Sequence, residues 1–211
     1  MKRGYESEQR RAQSEATRQR ILVTAQALVV ERGYRGTTIA ELARRADVHV
    51  DTIYELVGRK PLILRELVER AISGTDRPLD PFERDYVQEI TAEPDAGRKL
   101  DLYAAAMRRI LSQLAPLFLA LRDASATDPE AAQVWSQISD RRATNMRLLA
   151  ADLLATGQLR GGLSMDEVAD TIWATNSPDL HRLLVQDRGW SPEHYQEWLA
   201  DSWRRLFLSE K

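Results

Sequence analysis

Apolar residues along this chain recur at intervals of three and four, and no stretch keeps the strict alternation of a half-buried strand. The pattern predicts an all-α fold. Ile21, Leu22, Ala25, Leu28 and Val29 share one face of a first helix from about Glu15 to Arg32, and Gly33 stands where a helix of that length would end. Residues 1–13 are polar without a stripe and are expected to form a mobile arm. Thr38 and Glu41 make a T-x-x-E start for a short helix to about Arg45, with Ile39, Leu42, Ala43 and Ala46 turned inward. After a tight turn, Val48 to Leu56 reads as a second short helix, Gly58 breaks it, and Pro61 opens a fourth carrying Leu62, Ile63, Leu67, Val68 and Ala71.

A Gly-, Pro- and Asp-rich stretch from Ser73 to Pro81 predicts a hinge, so the expected domains are 14–74 and 75–211. Beyond it the period predicts helices over about 82–92, 96–115 and 117–125, the last two parted at Pro116. A long helix follows from the Asp128-Pro129-Glu130 start to just before Gly157. Ser164 and Glu167 make another capping box, Ser177-Pro178-Asp179 another start, and Ser191-Pro192-Glu193 opens a last helix to about Leu208.

Charge sharpens the division. Residues 1–74 hold 14 Lys and Arg against 10 Asp and Glu, whereas the remainder holds 16 against 22. A basic head on an acidic body fits a nucleic-acid-binding module followed by a domain with another task, although a solvated helical surface has the same balance. The chain has no cysteine, which excludes a disulfide framework, a thiolate zinc site and a cysteine nucleophile. With no apolar secretory stretch after Met1, this predicts a cytoplasmic protein, and no membrane-spanning segment is expected. His49, His181 and His194 are too far apart for a helical metal-ligand spacing, so neither a metal nor a cofactor is expected. There is no G-x-S-x-G elbow, phosphate-cradling glycine loop or H-E-x-x-H, so the chain does not read as an enzyme.

The informative stretch is Thr37 to Tyr54: two helices of about two turns joined by a tight turn, small Ala43 where they would cross, and Val48 and Ile53 behind it. That is the logic of a helix-turn-helix, whose second helix enters the major groove. Together with Thr17-Arg18-Gln19-Arg20-Ile21-Leu22, Glu31-Arg32-Gly33-Tyr34, the double Thr37-Thr38, Thr52-Ile53-Tyr54 and Lys60, the stretch resembles the TetR family of bacterial transcriptional regulators. The resemblance covers about the first third of the chain.

The resemblance implies that Thr37, Thr38, Tyr54 and Lys60 contact phosphates, while Val50, Asp51 and Thr52 lie nearest the bases of a double-stranded DNA operator. His49 stands where Ser or Thr is common, Asp47 where the turn glycine is usual, and Val57 where an aromatic is usual. Asp tolerates a left-handed turn better than most residues. Asp47, Asp51 and Val57 keep a second reading open, a helical binding or scaffold protein of the same fold without sequence-specific DNA binding. Tyr54 also reads as a packing tyrosine, Thr37 and Thr38 as helix caps only, and His49 as a solvated turn residue.

For the second domain the resemblance implies a homodimer formed through the last two helices and an effector cavity in the middle ones. The sequence supplies matching stripes. Tyr195, Trp198, Leu199, Ser202, Trp203 and Leu206 line the last helix, and Trp173, Leu180, Leu183 and Leu184 the segment before it, so Leu180, Leu184, Trp198, Leu199, Ser202, Trp203 and Leu206 are the interface candidates. The alternative is that both tryptophans are internal core. Candidate effector contacts are Tyr103, Met107, Phe118, Trp135, Met146 and Trp173, with Leu114, Leu121 and Ile138 beside them and Arg142, Asn145 and Asn176 as orienting polar groups. Such a lining suits a small hydrophobic or amphipathic molecule, although the same stripes also serve as plain core. The expected function is a ligand-responsive regulator, a repressor released from a palindromic operator.

Overall fold

The computed structural model describes residues 2–75 and 79–209, with side chains from Glu8 onward. It is all-α: α1 Lys2–Gly36, α2 Ile39–Ala46, α3 Val50–Leu56, α4 Lys60–Ser73, α5 Asp85–Ala92, α6 Ala96–Ser125, α7 Pro129–Ala155, α8 Met165–Thr175, α9 Pro178–His181 and α10 Pro192–Phe207. A 3-10 turn, Pro81–Glu83, precedes α5, and α9 runs on into a π-helical turn, Arg182–Asp187. Among the described residues there is no strand, and the lone β-bridge joins Leu159 to Leu208. The chain divides into two compact units, one made of residues 1–70 with 116–134 and the other of 71–115 with 135–211. Residues 76–78 of the expected hinge lie outside the described residues; before them Gly74 turns left-handed, and after them the Leu79 N–H donates to Ser73 Oγ at 2.9 Å.

In the first unit, Ile21, Leu22, Ala25 and Leu28 of α1 are buried with Leu42 and Ala46 of α2, Ile53 of α3 and Leu64, Leu67 and Val68 of α4. α1 does not begin at Glu15: of the expected arm, residues 2–13 are helical, the helix running from Lys2, and Met1 lies outside the described residues. Glu, Gln, Arg and Ala dominate residues 6–16 and are good helix formers without any stripe. The helix breaks at Gly33, whose φ of 66° only glycine adopts freely. Leu62 is the exception to the predicted α4 stripe and is exposed.

α2 starts at Thr38, whose Oγ1 accepts from the Glu41 N–H at 3.1 Å. The reciprocal half of the expected capping box is missing. The Glu41 carboxylate is drawn instead to Arg44 and Arg45, which hold its pKa down to about 2. Asp47 makes the turn at φ 52° and ψ 57°, in the left-handed region, and the Val48 N–H donates to Ala43 O at 3.1 Å. The C-terminal ends of both short helices are closed from α1: Arg20 Nε donates to Ala46 O at 2.9 Å and Arg18 Nε to Leu56 O at 3.2 Å. A cation at each C-terminus also complements the helix dipole.

α6, whose residues 96–115 belong to the second unit and 116–125 to the first, is a single helix, not two, with Pro116 inside it. An interior proline removes one backbone hydrogen bond and costs about 3 kcal/mol in an exposed helix. Here Leu114, Ala115, Leu117 and Phe118 are all buried around it, and their burial offsets that cost. α6 is long and apolar enough to cross a membrane by length and composition, yet 56% of its apolar window is buried inside the structure, as in a core helix. Lys99 at its start is buried, with Nζ 2.6 Å from Asp152 Oδ2 and 2.7 Å from Ile90 O, so one cation fastens α5, α6 and α7 together. The boxes at Ser164 and the starts at Ser177 and Ser191 form as expected.

Left-handed strain at Asp47 is testable. The αL conformation costs a non-glycine residue about 1–2 kcal/mol, and the extra freedom of glycine in the unfolded chain returns about half of that. Asp47→Gly therefore raises stability by about 0.5–1 kcal/mol in urea unfolding, with an unchanged m-value.

Candidate functional site

Two groups of side chains carry chemistry, one in each unit. The first lies on the helix-turn-helix. The left-handed turn at Asp47 delivers His49 as the N-cap residue of α3, exposed and without a side-chain capping bond. Val50 is 39% exposed, Tyr54 is 49% exposed, Asp51 is exposed and Thr52 is half-buried, while Ile53 between them is fully enclosed. One turn of α3 therefore buries its anchor and leaves its reading face open.

Thr37 departs from expectation. It is only 3% exposed, and its Oγ1 donates to Gly33 O at 2.9 Å, so it closes the end of α1 instead of facing a phosphate. Thr38 stays exposed, although its hydroxyl oxygen already serves as the α2 cap. Lys60 is half-buried, with its Nζ 3.8 Å from the centroid of the Tyr34 ring, and burial pulls its pKa below the ordinary lysine value, with Asp128 pulling weakly the other way. Tyr34 Oη donates to Asp128 Oδ2 at 2.6 Å, and burial and that carboxylate raise the phenol's pKa. The other oxygen of Asp128 accepts from the Glu130 N–H at 3.0 Å and the Ala131 N–H at 3.2 Å, which caps α7. One carboxylate thus holds both a helix start and the tyrosine under Lys60.

A cleft of about 390 Å³, lined by Arg10, Arg11, Ser14, Glu15, Arg18 and Leu56, lies between the early turns of α1 and the end of α3. Reading residues 1–13 as an arm hid it. Arg11, Ser14, Glu15 and Arg18 are spaced by three and four, so the face is visible once the segment is helical.

The second group is a buried polar cluster. Asn176, 3% exposed at the end of α8, donates from Nδ2 to Tyr103 Oη at 2.6 Å and to Met146 Sδ at 3.2 Å. Tyr103 Oη in turn donates to the Met146 sulfur at 3.3 Å. Arg142 donates to Asn176 Oδ1 and to Trp173 O, and its guanidinium carbon lies 4.7 Å from the centroid of the Trp173 ring. Desolvation draws the arginine's pKa down and raises those of Tyr103 and Tyr195. The Tyr103 and Trp203 rings stack at 5.5 Å, and Trp203 Nε1 donates to Thr175 Oγ1 at 2.8 Å.

Of the expected effector contacts, Tyr103, Arg142, Met146, Trp173 and Asn176 come together here. Met107 is buried and Trp135 half-buried in the same unit, whereas Phe118 falls in the other unit. Two interface candidates also move. Leu199 and Trp203 are fully enclosed within their own unit, so they are core, while Leu206 is exposed and Leu180, Leu184, Trp198 and Ser202 are half-buried. Core and interface are not separable from the sequence here, because one face of α10 carries both its inward and its outward apolar residues.

Residues 21–56 match the family model of the bacterial regulatory proteins of the tetR family. The matched segment takes in the second half of α1 and all of α2 and α3. No curated protein matches it. By fold, the chain is similar to a regulator-like protein from Saccharomonospora viridis in complex with choline, with a TM-score of 0.72, 24% identity, and 93% of this chain and 100% of that one covered. It is likewise similar to FadR, a transcriptional regulator from Bacillus subtilis in complex with stearoyl-CoA, with a TM-score of 0.70, 19% identity, and coverage of 87% and 96%. A third similar structure is NalD from Pseudomonas aeruginosa, the secondary repressor of the MexAB-OprM multidrug efflux pump, with a TM-score of 0.70, 20% identity, and coverage of 94% and 100%. The likeness to these structures is one of fold, a helix-turn-helix head followed by a helical body.

The double duty of Asp128 separates by mutation. Tyr34→Phe removes one hydrogen bond and lowers stability by about 1 kcal/mol, whereas Asp128→Ala also removes the α7 cap and lowers it by about 2 kcal/mol. Equal losses in denaturant unfolding would show that the cap contributes nothing.

Proposed function

We propose that this protein is a ligand-responsive, DNA-binding transcriptional regulator that works as a homodimer, most simply as a repressor released from a palindromic operator by a small molecule. The observation that carries the reading is the open face of α3: Val50, Asp51 and Tyr54 exposed over the enclosed Ile53, inside the segment matched to the tetR family. In this reading residues 14–74 bind DNA and residues 75–211 bind the effector and the partner copy. Val50, Asp51 and Thr52 face base edges, with His49 at their margin, and Thr38, Tyr54 and Lys60 face phosphates. Thr37 holds the end of α1 in place behind them. Asp51, an acid on the reading face, accepts from a cytosine amine or repels sequences without one.

Dimerisation uses the apolar residues that the protomer leaves uncovered, Leu206 together with the outer sides of Leu180, Leu184 and Trp198. The effector sits at the Tyr103, Arg142, Met146, Trp173 and Asn176 cluster, and binds better to a dimer whose recognition helices no longer fit successive major grooves, about 34–36 Å apart. Support for an effector comes from the fold neighbours bound to choline and to stearoyl-CoA.

Selection of bound genomic fragments by the purified protein, repeated across salt, tests the reading and is expected to return a palindromic motif. No enriched motif from an intact dimer would favour a helical scaffold instead. Once an operator is in hand, Lys60→Ala lowers affinity about equally on all sequences and reduces the salt slope by about one unit, whereas Thr52→Ala changes preference between sequences. An unchanged slope would leave Lys60 a packing residue on Tyr34.

A further inference from the structure

The helix that would read bases carries the wrong charge to hold DNA by itself. α3 has two acids, Asp51 and Glu55, both exposed, and no basic residue. The rest of the helix-turn-helix does little to offset them. Residues 21–74 hold eight Lys and Arg against seven Asp and Glu, and three of those arginines, Arg32, Arg44 and Arg45, are drawn to Glu31 and Glu41. Affinity for a duplex comes largely from neutralising its phosphates and releasing their counterions, so such a head needs cations from elsewhere. Residues 1–20 hold six Lys and Arg against three Glu, which is three of the four net positive charges of residues 1–74.

α1 carries that charge past the core. Arg18 and Arg20 mark where the short helices meet it, since they bond the Leu56 and Ala46 carbonyls at the ends of α3 and α2. N-terminal to Arg18 the backbone stays helical to Lys2, a length of about 24 Å, and every residue from Glu8 to Ala16 is exposed. These turns bury no apolar face, so packing within the protomer gives no reason for them. Arg10 and Arg11 stand on this stretch and, with Ser14, Glu15, Arg18 and Leu56, line the open cleft of about 390 Å³ beside the end of α3. Arg18 is committed to Glu66 and to the Leu56 carbonyl, and the one acid of the cleft, Glu15, accepts from Gln19 on its own helix. Ser14, one turn on from both exposed arginines, adds a hydroxyl, and Leu56 adds apolar surface of the kind a deoxyribose face can meet.

We propose that the projecting part of α1 is a second DNA contact, in which Arg10 and Arg11, with Ser14 and Leu56, hold the sugar-phosphate backbone beside the groove that α3 enters. The proposal rests on the DNA-binding reading above and divides its labour: α1 supplies most of the electrostatic affinity, and the acidic α3 discriminates between sequences. One other polyanion is at hand, the acidic second unit of another copy. Duplex DNA is favoured over it because the cleft borders the end of the reading helix and lies next to any duplex that this helix enters.

Salt titrations of the full-length protein on its selected operator and on random duplex test the proposal. The double variant Arg10→Gln with Arg11→Gln keeps good helix formers at both positions. It is expected to bind both duplexes about tenfold or more weaker near 0.1 M salt and to lower the salt slope by about two units per protomer, with the selected motif and the circular dichroism unchanged. Arg10→Lys with Arg11→Lys keeps the charge and is expected to keep the slope. Phosphates whose ethylation blocks the wild-type protein, but not the glutamine variant, locate the contact on the operator. An unchanged slope in the glutamine variant, or an equal loss of slope in the lysine variant, overturns the proposal, while a palindromic motif from the same protein leaves the DNA-binding reading standing. Loss of self-association at low salt in the glutamine variant, with DNA binding unaltered, would overturn it in favour of the acidic unit of a second copy. Failure of the wild-type protein to bind any duplex at low salt sinks the proposal and the reading together.

Discussion

A single side chain, Asn176, holds the second unit in register. It ends α8, is almost fully enclosed, and reaches Tyr103 on α6 and both Met146 and Arg142 on α7. In a low-dielectric interior such polar groups must find one another, since each unmade bond carries its full desolvation penalty. Apolar stripes would let three helices slide past one another by a turn with little loss; a shared amide does not. Thr175, one residue earlier, extends the same constraint to α10 by accepting from Trp203 Nε1 with its hydroxyl and from Tyr195 Oη with its carbonyl. Against this nearly complete pairing, the two unpartnered ring nitrogens of His181 stand out.

The first unit solves a different problem, that of presenting a short helix rigidly. α3 has only seven residues, too few to be stable alone. It is held at its start by the left-handed Asp47, at its end by Arg18 on the Leu56 carbonyl, and from beneath by Ile53. Around it, Glu31 and Glu41 draw together Arg32, Arg44 and Arg45 on an exposed surface, where such pairs add little stability but decide which arginines remain open to a polyanion. The head is therefore less basic at its surface than its composition suggests.

Most of the backbone was legible from local signals. The starts at Ser164, Ser177 and Ser191, the end at Gly33 and the turn at Asp47 each depend on residues within about four positions, and all formed as expected. The departures came where a local rule met a distant contact. Pro116 stays inside α6 because its flanking residues are buried, and Glu41 abandons its capping partner for two arginines. The arm became helix for the opposite reason, since propensity suffices there without any packing stripe.

By itself, then, the sequence determined the helical class, the order and ends of most helices and the presence of a helix-turn-helix, because these follow from periodicity, caps and backbone preferences that act over a few residues. Only the tertiary structure decided that Thr37 and Trp203 face inward, that Lys60 rests on Tyr34, that Phe118 belongs to the first unit, and that both ring nitrogens of His181 are left without a hydrogen-bond partner among the described residues. Those outcomes depend on which side chains, tens of residues apart, compete for the same neighbour. An apolar stripe looks the same whether it will be buried by its own chain or left for something else.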